Sequence, residues 1–297
     1  MNRLAILALI VSGLCWGVGF PLGKLAMQEI GAGQMVALRF IFAAVFALPF
    51  ALASREARAL FRSPSVLIAG VLYGLAFQVQ FEGLARVSVT LAALLVGAMP
   101  ALIAIAARLL GEHVPRLSWL GVAAATLGAA LIAGKPGEAG TPLGVFLCLA
   151  ALLVFLGWLF TQRRAPKGPT PMAMPAVVVL VGAVTMAPAA FALHGVPRLD
   201  LSPQAWGAIA AQGLVCTLIA TAAWQYGLSR VGSATTGVFV NIEPLIGTLL
   251  GVAFFHDRLT LGLALGGLMI IAGSFIVVLG ERSATATDLA HNPVTPA

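Results

Sequence analysis

Arg39, Glu82 and Glu243 are charged side chains set within long apolar stretches of a 297-residue chain. A charge at that depth is costly unless it is paired, hydrated or neutralised, so such residues mark places where charge is handled. Glu243 stands directly before Pro244 and has three roles open to it: binding protons for coupling, holding a ligand's ammonium, or fixing a structural network. Arg39 and Glu82 either snorkel to the headgroups from the ends of their runs or pair with each other at the outer mouth. The usual catalytic constellations are missing. His113, His194, His256 and His291 lie between the apolar runs or in the tail, no HExxH or GxSxG occurs, and there is no P-loop. Those absences argue against an intramembrane enzyme and against ATP hydrolysis as an energy source. Cys15, Cys148 and Cys216 lie in apolar runs without CxxC spacing and read as inert small hydrophobes, so no metal or cofactor is expected.

The elements that must position these groups follow from composition. Hydrophobic residues make up 60% of the chain and charged residues 9%, against about 45 to 50% and about 25% in soluble domains. Mean hydropathy is +1.02. Too little polar surface exists to cover a soluble globule of this length, so an all-α integral membrane protein is expected. Continuous rather than alternating apolar runs exclude a barrel. Ten runs are long enough to span: 4–24, 34–54, 65–85, 89–110, 117–134, 143–163, 173–193, 204–228, 234–255 and 260–280. With a cytoplasmic N-terminus, eleven Lys and Arg fall inside and five outside, Arg39 lying within a span. Both termini are therefore expected in the cytoplasm, and the net charge of +7 reflects basic loops rather than nucleic-acid binding. A cleaved signal peptide is not expected, and the polar tail 283–297 reads as disordered.

An internal repeat organises the spans. Residues 83–100 overlie 227–244 without gaps, matching at Gly83/Gly227, Arg86/Arg230, Val96/Val240 and Pro100/Pro244. After one insertion the register continues through Glu112/Asp257, Gly121/Gly266 and Gly128/Gly273. Each half holds five spans, an odd number, so the halves 1–142 and 143–282 enter the bilayer from opposite sides. Inverted repeats enclose a central cavity, as in secondary transporters. Pro100 and Pro244 remove equivalent helical bonds to Val96 and Val240, which suits either a paired hinge for gating or ordinary kinking for packing. Position 99 is Met99 where its counterpart is Glu243, so the charge breaks the symmetry. Polar and aromatic stripes recur at helical spacing: Ser12, Trp16, Gly19 and Phe20; Phe155, Trp158 and Gln162; Thr217, Thr221, Trp224 and Gln225; Tyr73, Phe77 and Gln80 with Gln78 alongside. Such faces suit an amphiphile whose ammonium lies against a ring, or they simply pack.

Five plus five spans, Trp16-Gly17, Arg39-Phe40, Glu243-Pro244, and the acids Glu112 and Asp257 each followed by two glycines resemble the drug/metabolite transporter superfamily, EamA type. Within it the chain is most similar to YddG-type bacterial exporters of aromatic and other amino acids. The resemblance implies ten helices around a central cavity in the bacterial inner membrane; no cofactor is expected, the partners expected are the substrate and the lipid bilayer, and the sequence leaves the oligomeric state open, a monomer being one expectation. It implies export of mainly neutral amino acids from the cytoplasm. Another small metabolite or drug as cargo, or a passive channel-like facilitator, are the alternatives. Substrate-binding positions are then Trp158, Gln78, Met99, Phe77, Trp16, Phe20, Gln162 and Asn241. Pro100 and Pro244 are the gating pair, and Glu243, Arg39 and Glu82 carry coupling or structure.

Overall fold

The computed structural model describes residues 3–134, 139–166, 168–230 and 239–291. Apolar runs become helices because, without water to pair with, each backbone N–H and C=O must be satisfied within its own segment. In chain order they are α1 (Arg3–Ala26), α2 (Ala32–Leu52), α3 (Pro64–Leu84), α4 (Val89–Val96), α5 (Met99–Leu109), α6 (Arg116–Gly134), α7 (Pro142–Arg163), α8 (Ala173–His194), α9 (Pro203–Gly213), α10 (Ala220–Leu228), α11 (Ile242–Phe255) and α12 (Leu261–His291). A π-helical segment, Leu214–Ile219, joins α9 to α10. Starts follow the expected chemistry: Ser88, Thr141 and Ser202 hydroxyls accept N–H groups at the starts of α4, α7 and α9, and Pro64, Pro142 and Pro203 sit in the first turn of theirs.

Among the described residues, eight stretches are long and apolar enough to cross a membrane, counting α4 with α5 and α9 with α10 as single passes. The other two of the ten expected spans are shorter apolar helices, Arg116–Ile132 and Ile242–Phe255. The front of the ninth run, 234–238, lies outside the described residues. Of the tail 283–297 expected to be disordered, 283–291 continue α12 as helix and 292–297 lie outside the described residues. The helical stretch SATATDLAH contains neither Gly nor Pro, and the first proline comes at Pro293.

Glycines let the helices close on one another. A methyl group added at Gly13 would stand 2.8 Å from Cβ of Ile242, and one at Gly17 would stand 2.7 Å from Cβ of Ile246, so α1 lies directly against α11. Between α6 and α12, Gly121 faces the Gly273 carbonyl and Gly273 faces the Gly121 carbonyl. Gly128 and Gly266 meet in the same reciprocal way. Under the repeat register, which pairs Gly121 with Gly266 and Gly128 with Gly273, the first contact transforms into the second. Outward faces carry large apolar side chains, among them Phe46, Val184 and Leu268.

Where α1 meets the turn after α3, Lys24 Nζ donates to the Leu84 and Val87 carbonyls, both at 2.8 Å. The Thr90 N–H, at the start of α4, donates to the Asp257 carboxylate at 2.7 Å. Glu29, in the loop from α1 to α2, accepts from both the N–H and the hydroxyl of Ser202. Those two hydrogen bonds hold its carboxyl below the usual carboxylate range.

Candidate functional site

A cavity of about 130 Å³, measured as space open to the centre of a water molecule, lies where α1, α2, α3, α5, α7, the π segment, α10 and α11 converge. At roughly 10 to 15 Å³ per water centre that is room on the order of ten waters. Each helix contributes one stripe. Trp16, Gly19 and Phe20 come from α1, and Tyr73, Phe77, Gln80 and Phe81 come from α3. Leu152, Phe155, Trp158 and Leu159 come from α7, at the three- and four-residue steps of one helical face.

One wall is aromatic. Tyr73 lies 4.9 Å from Phe77 and 5.0 Å from Trp158 between ring centroids, and Phe77 meets Phe155 edge-on at 5.0 Å. On the other side Trp16 and Trp224 pair at 5.3 Å. Ring pairs of this kind add about 0.5 to 1.5 kcal/mol beyond burial. They also give the wall a fixed shape.

Arg39 stands on the cavity wall, 1% exposed. Its Nε donates to Thr217 Oγ1 at 2.7 Å and one Nη to the Cys216 carbonyl at 3.3 Å. Both acceptors belong to the π segment, whose wider turn offers backbone carbonyls that a regular helix would occupy. Thr217 in turn donates to the carbonyl of Gln212, five residues back. Thr221 donates to the Thr217 carbonyl at 2.6 Å, so the Tyr73 hydroxyl, 2.8 Å away, donates to Thr221. The guanidinium carbon lies 3.9 Å from the Phe77 ring centroid. Nη1 has no acceptor among the described residues, and neither does Nε1 of Trp158 on the same cavity.

Glu243 faces the cavity from the first turn of α11, where a helix start favours a carboxylate. Arg39 and Glu243 attract each other, yet the described residues contain no ion pair between them within 4.0 Å. Met99 occupies the equivalent position in the first turn of α5 and also lines the cavity.

Several expectations need correction. Arg39 neither snorkels nor pairs with Glu82, because its run packs into the core and its donors meet the π segment. Glu82 instead pairs with Arg86 at 2.7 Å, one turn along α3, with His194 at 4.0 Å. Pro100 and Pro244 sit in the first turns of α5 and α11, Pro100 just past the break that divides the span Val89–Leu109, and neither lines the cavity. Before Pro100, Gly97 and Ala98 donate to carbonyls only three residues back, which ends α4 at Val96. Proline has no N–H to carry the ladder across.

Of the remaining expected positions, Trp158, Met99, Phe77, Trp16 and Phe20 line the cavity, and Gln78, Gln162 and Asn241 do not. Gln78 is turned about 100° from Phe77 on α3 and packs beside Gly33 and His194. Gln162 lies one turn past Trp158, at the end of α7. Asn241 immediately precedes α11, its side chain making no capping bond there. Phe81, Ile103, Leu152 and Cys216 are cavity residues that the sequence reading did not single out. Tyr73, Gln80 and Trp224 stood in its stripes without being chosen.

A helical chain with eight described stretches able to cross a membrane and a mixed aromatic and charged cavity has the build of a polytopic membrane protein. The chain belongs to the EamA-like transporter family, whose sequence model matches residues 3–134 and again 142–279. It is similar to the uncharacterized transporter YyaM of Bacillus subtilis, 25% identical, covering 91% of this chain and 89% of that one. It is similar to a probable terminal-alkyne amino-acid exporter of Streptantibioticus cattleyicolor, at 24% identity over 95% and 97% of the two chains. The biotin transporter of Salmonella typhimurium is 23% identical over 97% and 98%. A solved crystal structure superposes with a TM-score of 0.65 at 21% identity, covering 94% of this chain and 98% of that chain.

Proposed function

We propose that the protein is a secondary exporter moving amino acids, aromatic and other mainly neutral ones, out of a bacterial cytoplasm by alternating access. The observation that carries this reading is the cavity itself: its walls come from both segments that match the family. In this reading ten spans form two inverted repeats, 1–142 and 143–282, with both termini cytoplasmic in the inner membrane. The eleven-to-five distribution of Lys and Arg and the reciprocal glycine contacts of α6 and α12 support that arrangement.

The aromatic wall takes a ring or an apolar side chain, and Glu243 with the Trp16–Trp224 pair takes the ammonium. The first turns at Met99 and Glu243 are where the two halves shift as the cavity changes the side it opens to. The protein acts as a monomer, its partners being the substrate and the lipid. The amino-acid exporter among its relatives favours this cargo, and the biotin transporter names the alternative.

Counterflow in proteoliposomes tests it. Purified protein loaded with unlabelled phenylalanine accumulates labelled phenylalanine saturably, and unlabelled neutral amino acids compete. Biotin competing where amino acids do not would replace the substrate class. Uptake that neither saturates nor responds to any competitor would make the protein a channel.

A further inference from the structure

Resting on the exporter reading of this cavity, we infer that Arg39 is a carboxylate-binding residue, so the ligands held here are those carrying a carboxylate on an apolar or aromatic body. The starting observation is an incompletely matched buried cation. Arg39 is 1% exposed, and among the described residues no carboxylate lies within 4.0 Å of it. A buried charge without an ion pair is costly, and one that stands on a cavity wall is placed to meet its counter-ion there.

Donor geometry points the same way. The π segment takes up Nε and one Nη, which fixes the guanidinium plane and leaves Nη1 without an acceptor. Trp158 Nε1 is a second donor without an acceptor on the same cavity. Two such donors on one cavity suit an anionic oxygen acceptor. Glu243, on the same cavity and attracted to Arg39, prevents the site from being simply anion-attracting and favours a positive group beside it. A zwitterion satisfies both ends. Phe77, its ring over the guanidinium, is the side chain a carboxylate displaces on entering.

The alternative for Arg39 is a structural tie between α2 and the π segment, and ligand preference separates the two roles. The test measures direct binding to full-length protein in nanodiscs, using phenylalanine, phenethylamine, which lacks the carboxylate, and 3-phenylpropionate, which lacks the ammonium. Wild type binds phenylalanine at least about tenfold more tightly than phenethylamine, the worth of one charge-assisted hydrogen bond. In Arg39→Gln that ratio falls to about one, with phenethylamine affinity unchanged and 3-phenylpropionate binding lost. Arg39→Lys, which keeps the charge, retains part of the ratio. A ratio near one in wild type, an unchanged ratio in Arg39→Gln, or no binding of any probe to folded wild type overturns the inference. Failure of the exporter reading is separate: the binding ratio would hold while counterflow of phenylalanine is absent.

Discussion

Lys24 and Arg39 are the two cations that reach inward from α1 and α2, and the structure uses them in opposite ways. Lys24 places its ammonium against the carbonyls of Leu84 and Val87 and ties the end of α1 to the turn after α3. It does not line the cavity. Arg39 is the more deeply buried and the less completely satisfied, with Nη1 lacking an acceptor and the cavity beside it. A cation whose hydrogen bonds are all made to backbone holds the fold together. One whose donors are only partly matched on a cavity wall has capacity left for a ligand.

The contrast breaks or sharpens under substitution. The largest effect is expected for Arg39→Gln, which removes the tenfold preference for phenylalanine over phenethylamine while changing the melting temperature little, because losing an unpaired buried charge relieves desolvation. Lys24→Met does the reverse. It strands the Val87 carbonyl, takes one of two donors from that of Leu84, and lowers stability by about 1 to 3 kcal/mol, read as a drop of several degrees in thermal melting, with the ligand preference intact. Should both variants lose preference and stability together, the division between a structural and a ligand-facing cation collapses. Trp158→Ala comes next: it removes the stack on Tyr73 and weakens binding of aromatic amino acids about three- to tenfold, with less effect on alanine, as competition in counterflow measures.

The smallest effect is at the loop. The Glu29 carboxyl is lowered by its bonds to Ser202, so its contribution is fully present above the ordinary value of 4.5 and is lost as pH falls through the lower folded value. Glu29→Gln therefore melts slightly below wild type at pH 7, and the two curves merge in acid below pH 4.5. A gap that persists or widens there would assign the loop's stability to another group.

Much of this molecule was readable as a sequence, and the limits are physical. Continuous apolar runs dictate helices because the bilayer leaves the backbone no other partner, and the repeat register places Met99 and Glu243 at corresponding positions before the helix starts are seen. Stripe spacing correctly suggests that Tyr73, Phe77 and Gln80 share a face. It does not say which face turns inward, so Gln78, one residue from Phe77, is as eligible from the sequence as Tyr73, while the cavity is lined by Tyr73. Arg39 was misread for a different reason. A position a turn and a half into an apolar run leaves snorkelling open, and the partner that decides the matter is a π segment with no signature in LVCTLI. Helical spacing also carried Gln162 along with Trp158, although one more turn takes it to the end of α7.

The central claim is that the substrate passes through the cavity walled by Arg39, the aromatic cluster and Glu243. Met99, half-buried on that wall, offers the most direct test: Met99→Cys, made with Cys15, Cys148 and Cys216 replaced by alanine, is reacted with a bulky maleimide before phenylalanine counterflow is measured. The account predicts that labelling reduces counterflow to the level of protein-free liposomes and that saturating phenylalanine slows the labelling. Full-speed counterflow by the fully labelled protein would contradict it.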